Sequence, residues 1–221
     1  MKRRALTFAL LLPMFPAAAL PGAAAEWQVV NDGVMGGVSS AQVAAAADGA
    51  LRFSGVVRLD YNGGFASIRR AATLPADATG LAVTARGDGN RYRLTVFARD
   101  ARTGARQPFM YYAVFDAGIR TQRSPTDDSC RVGAPTPPPQ PSPAGGGGSK
   151  PLPCNGGAAV TARAELRFAD FRASFRGRAV PDAPPLAAAD VIGIGLMITK
   201  AEHAAGSGAF AVELLALEPL R

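Results

Sequence analysis

LRFSGVVRLDYNGGFASIR (51–69) carries two strand patterns separated by a turn. Over 51–59, Leu51, Phe53, Val57 and Leu59 share one face, while Arg52, Ser54 and Arg58 share the other. A period of two is the pattern of a strand with one face on a core and one in water. Asn62-Gly63-Gly64 marks a reversal, because Asn and Gly tolerate the positive φ that tight turns require. Beyond it, Ala66 and Ile68 fall on one face of FASIR, and Phe65, Ser67 and Arg69 on the other. Two alternating runs joined by a short turn point to antiparallel β-structure.

The reading extends outward. LAVTAR (81–86), YRLTVFAR (92–99) and FMYYAVF (109–115) read as further strands, with Asp48-Gly49 and Gly87-Asp88-Gly89 as turns between them. VIGIGLMI (191–198) and FAVELLAL (210–217) are nearly continuous apolar runs, as expected of strands covered on both faces. The alanine-rich piece at 41–47 is compatible with a short helix, although it has no clean apolar stripe. Short strands at this spacing predict an all-β protein, a β-sandwich.

Composition bounds the chemistry. The chain has 221 residues, 48% of them hydrophobic, with a formal net charge of +7, which suits one folded domain with additional segments. One His and two Cys are too few for a His/Cys zinc or iron–sulfur site. A Ser-His-Asp triad could rest only on His203, in the small-residue stretch AEHAAGSG. GVSSA is the nearest approach to a GxSxG nucleophile turn and ends in Ala41, and HExxH is absent. Asp32, Asp60 and Asp88 could supply a glycosidase pair, but acids in such turns usually shape the turn. No EF-hand pattern occurs. The residues therefore predict no catalytic site, no metal and no cofactor.

The first 25 residues have the layout of an export signal: Lys2, Arg3 and Arg4, then an apolar run from Ala5 to Leu12, then Ala23-Ala24-Ala25 before Glu26. Pro13, Pro16 and Pro21 interrupt a run too short to span a bilayer, so a stable membrane anchor is not expected. Cleavage after Ala25 would give a periplasmic or secreted protein of 26–221, with 21 basic and 17 acidic residues and no basic run longer than two. Such dispersed charge argues against nucleic acid as a partner.

One stretch stands apart. Between Cys130 and Cys154 lie 23 residues, eight Pro and five Gly among them. No core-forming period survives there, which predicts a Pro/Gly-rich insertion in the single domain. GGGGSK is not a P-loop, since Lys150 is followed by Pro151. In an oxidising compartment Cys130 and Cys154 are expected to pair, closing the loop and stabilising the fold by ~3.5 kcal/mol on the chain-entropy model.

Three further segments are more specific than their composition: WQVVNDGVMGGVSS (27–40), FSGVVRLDYNGGFASIR (53–69) and RGDGNRYRLTVF (86–97). Together with LRFADFRASFRGRAVPDAPPL (166–186) and DVIGIGLMI (190–198), in this order, they resemble the complex I intermediate-associated protein 30 family. The resemblance spans nearly all of 26–221 except 130–154. It implies a galactose-binding-domain-like jelly roll and a non-enzymatic role. Mitochondrial members of that family assist assembly of NADH:ubiquinone oxidoreductase as chaperone-like factors.

Candidate binding residues follow from the densest segments. Asp32, Gly33, Met35, Gly36, Gly37 and Ser39 form a glycine-dependent loop. In a structural reading Asp32 caps loop amides and Met35 fills core space; in a functional one the loop faces a ligand, with Asp32 and Ser39 hydrogen-bonding to it. Ser67 and Arg69 share a strand face, as do Thr84 and Arg86. Arg69 and Arg86 either pair with Asp32 or Asp88 in a buried cluster or offer guanidinium forks to a ligand. Tyr92 is either a sugar-stacking platform or core. Binding through this face requires Asp32, Ser39, Ser67, Arg69, Arg86, Asp88 and Tyr92 to gather in one region. A sugar binder usually exposes several aromatics, whereas this chain has one Trp, Trp27, so a protein client is expected before a glycan.

Overall fold

The alternating runs become paired strands. In the computed structural model, which describes residues 22–118 and 160–221, twelve strands form two antiparallel sheets. They are β1 (Gln28–Asn31), β2 (Ser40–Ala45), β3 (Leu51–Val57), β4 (Phe65–Ala71), β5 (Gly80–Arg86), β6 (Arg91–Ala98), β7 (Met110–Asp116), β8 (Ala162–Arg167), β9 (Arg172–Phe175), β10 (Arg178–Ala179), β11 (Val191–Thr199) and β12 (Gly208–Leu220). One sheet has the order β1-β4-β11-β6-β7-β9-β10 and the other β2-β3-β12-β5-β8. Strands distant in sequence become neighbours within each sheet, and the two sheets close into a jelly-roll β-sandwich. Most of the segment 1–25, both cysteines and the insertion 130–154 lie outside the described residues.

The core is what period two selects. Leu51, Phe53 and Val57 from β3 meet Ile68 from β4, Leu94 and Val96 from β6, and Ile194, Leu196 and Ile198 from β11, all buried. The apolar runs occupy the sheet interiors, β11 between β4 and β6 and β12 between β3 and β5. The sequence differs from the fold in two places. Leu59, expected inside, is exposed because β3 ends at Val57 and the chain turns away. The piece at 41–47 is strand rather than helix over Ser40–Ala45, since its backbone pairs with β3 from Ser40↔Val56 to Ala45↔Leu51. Alanine's helix preference is a few tenths of a kcal/mol per residue, and a sheet edge needing a partner overrides it.

Candidate functional site

Asp32 opens a single 3₁₀ turn, Asp32–Met35, directly after β1, and its carboxylate is fully buried. The Ser39 amide donates to Oδ1 at 2.9 Å, and the Ser39 hydroxyl and Gly64 amide donate to Oδ2 at 2.6 and 2.7 Å. A longer bond comes from the Phe65 amide at 3.4 Å. Burial pushes the Asp32 carboxyl up, but the bonds from Ser39, Gly64 and Phe65 outweigh it and hold the group below its usual value. The Ser39 hydroxyl also accepts from the Arg58 amide at 2.9 Å. Asp32 and Ser39 thus bind the loop at 32–39 to the loop at 58–64. Glycine is required where they meet, because a Cβ on Gly37 would lie 2.4 Å from Asp32 Cγ and one on Gly63 2.6 Å from Oδ2.

Bracing from inside turns the loop's apolar residues outward. Val34 is 73% exposed and Met35 57%, so Met35 does not fill core space. The buried Asp32 carboxylate, with Gly37 and Gly63 close against it, takes the room beneath the turn. Val38 and Leu59 are exposed beside them, and Tyr61, at φ 52°, is 75% exposed. One end of the sandwich therefore presents Val34, Met35, Val38, Leu59 and Tyr61 on two loops tied together.

The remaining candidates lie elsewhere. Asp88, in the turn between β5 and β6, accepts from the Asn90 amide at 3.1 Å, the Tyr92 hydroxyl at 3.1 Å and the Ala211 amide at 2.7 Å, fastening that turn to β12. Tyr92 is fully buried, and burial together with the adjacent Asp88 carboxylate pushes its phenol well up, so it is a core residue with its hydroxyl anchored. Arg86 stands on the outer face of the five-stranded sheet. It pairs with Glu213 at 2.5 Å and with Asp48, not with Asp32 or Asp88, and Glu213 and then Asp48 push the guanidinium up. Arg52 reaches the same Glu213 at 3.1 Å. Ser67 and Arg69 lie on the outer face of the seven-stranded sheet, where the Ser67 hydroxyl donates to the Val30 carbonyl. Asp32 and Ser39 come together with Gly36 and Gly37; Asp88 and Tyr92 form a second cluster; Arg69 and Arg86 are on opposite outer faces. The seven residues do not gather in one region.

Sequence reasoning passed over the exposed residues Val34, Val38 and Tyr61. The signal available was an aromatic side chain next to an Asn-Gly-Gly turn, a place where an apolar ring has nothing to pack against. Glu213 was also missed, since a lone acid inside FAVELLAL gives no hint of two arginines on neighbouring strands.

Among known families, the one described as complex I intermediate-associated protein 30 matches residues 18–127 and 150–214. No curated protein matches the sequence. Among solved structures, the family 11 carbohydrate-binding module of the cellulosomal cellulase Lic26A-Cel5E of Clostridium thermocellum is similar at 12% identity and a TM-score of 0.47, over 86% of this chain and 88% of that one. The family 11 module from Clostridium thermocellum in complex with a β-1,3-1,4-mixed-linked tetrasaccharide gives 12% identity and a TM-score of 0.48, over 88% of each chain.

Proposed function

The chain belongs to the complex I intermediate-associated protein 30 family, and from that premise we propose that it is an exported, non-enzymatic domain that binds a protein client as a chaperone-like assembly factor. The observation that carries the reading is the apolar end of the sandwich. The most family-like segment of the sequence builds a loop whose buried half is fixed by Asp32 and whose Val34 and Met35 stand in water. Exposing apolar side chains on a braced loop costs solvation and contributes nothing to this fold, and such patches mark interaction surfaces. Methionine suits a surface that must adapt to a partner. Of the three acids that could form a glycosidase pair, Asp32 and Asp88 are occupied by backbone amides.

A photo-crosslinking side chain placed at Met35 in the exported protein should give discrete protein adducts, and Val34→Asp should abolish them without lowering the melting temperature. Adducts that persist in Val34→Asp, or none at all, would sink the reading. Tyr61 favours a second reading, a glycan module, since it is a ring offered to solvent on the same end. A glycan array answered by the wild type and not by Tyr61→Ala, with no adducts from position 35, would establish that one instead.

A further inference from the structure

We propose that a second, separate site lies on the outer face of the seven-stranded sheet and takes the carboxylates of an acidic, extended segment of a protein partner. A cleft of about 370 Å³ opens there between β1 and β6, lined by Gln28, Arg69, Arg70, Phe97 and Arg106, with Gly193 in its floor. Gly193 lies opposite Ala71 on β4 and Phe97 on β6, and Gly195, on the same face, lies opposite Arg69, so the central strand contributes no side chain and leaves a depression between Arg69 and Phe97.

Charge is what sets this cleft apart. Three guanidiniums line it with one carboxylate, Glu26, which is already held by Arg70 at 2.7 Å. Arg69 has no ion pair or hydrogen bond to its side chain among the described residues. Arg106 rests over the Phe97 ring at 5.0 Å and likewise has no carboxylate partner among them. The opposite outer face is a contrast. There Arg52 and Arg86 share Glu213, Arg86 also holds Asp48, and Arg163 meets Glu218 at 2.9 Å. Arg52, Arg86 and Arg163 are compensated within the fold, whereas Arg69 and Arg106 over the cleft have no acidic partner among the described residues. Guanidinium forks fit carboxylates in two-point contact.

The rings decide between an acidic peptide and an acidic sugar. A sugar needs an open aromatic face, but Phe97 carries Arg106, and Tyr112 on the same sheet carries Arg93 at 4.4 Å. Arg69 on β4 is level with Gly195 and Phe97 on β6 with Gly193, so they are two strand spacings and two residues apart, about 12 Å. An extended segment rises about 3.3 Å per residue, so acids three or four residues apart reach both arginines.

The site deepens the protein-binding reading by giving the chemistry of the partner, yet the two can fail independently, because the test below involves neither loop. Fluorescence anisotropy of a labelled hexaglutamate peptide is measured against the full exported chain at low ionic strength. Binding should saturate, should weaken at least tenfold in Arg69→Gln and in Arg106→Gln, and should change less than twofold in Arg163→Gln, which removes the same charge from the other sheet. Melting curves accompany each variant, and Arg106 lies on an exposed loop, so at least that substitution leaves the fold intact. Absence of binding overturns the proposal. Equal weakening by all three variants overturns it too, by reducing the effect to net charge. Polygalacturonate binding through Arg69 while hexaglutamate does not would assign the cleft to a glycan and overturn the peptide.

Discussion

Asp32 is the residue on which the loop end of the sandwich turns. In Asp32→Asn one carboxylate oxygen becomes an amide nitrogen. Keeping the remaining oxygen towards Gly64 then sets a donor against the Ser39 amide, with both buried. A stranded buried donor costs about 1–3 kcal/mol, so the variant should lose roughly 2–3 kcal/mol, read as a lower urea midpoint. The pH dependence has a definite sign. The folded pKa is depressed below 3.8, so the carboxylate's contribution is complete above the unfolded value and is lost as pH falls below about 4 through the folded value. The wild type should therefore lose stability on acidification below about pH 4, and Asp32→Asn should flatten that limb. An unchanged acid limb would show that other carboxylates govern it. The chemistry of this residue was legible as one of two possibilities, an amide cap or a ligand-facing acid. Only the placement of Gly64 against it, 32 residues on, chose the cap.

At the scale of elements, β11 and β12 read as doubly covered strands, and both lie in sheet interiors. Their amides are bonded on both sides, while β2 and β8 close the edges of the five-stranded sheet. Native-state hydrogen exchange should be slowest over 194–198 and 212–217 and faster by orders of magnitude over 40–45, since edge strands open without breaking the core. Comparable protection of β2 and β12 would contradict the assigned strand order. The alanine piece shows why elements were legible unevenly. Alternation in 51–69 encodes burial directly, whereas 41–47 carries almost no contrast between its faces, and its state is set by the free edge of β3.

For the whole molecule, all twelve described strands lie within 22–118 and 160–221. β7 ends at Asp116 in one sheet and β8 begins at Ala162 in the other, so the chain between them connects layers. Replacing 133–151 by a short Gly/Ser linker should move the melting temperature by less than about 3 °C, the equivalent of about 1 kcal/mol. The proposed export predicts a mature protein with no free thiol, which thiol titration checks. Loss of cooperative unfolding in the shortened chain would show that the Pro/Gly tract packs against the sandwich. The sequence by itself determined the all-β class, most of the strands and their inward faces, because period-two alternation is a local record of burial. It also carried the family resemblance, through three glycine-rich segments whose spacing is fixed by the loops they build. The tertiary structure alone decided what those segments do. Whether an arginine is compensated or an apolar residue covered depends on neighbours from other strands: Glu213 and Asp48 beside Arg86, Gln28 and Gly195 opposite Arg69, and water around Val34 and Met35. Pairing across a sheet brings together residues more than 100 positions apart, and no local pattern records that distance.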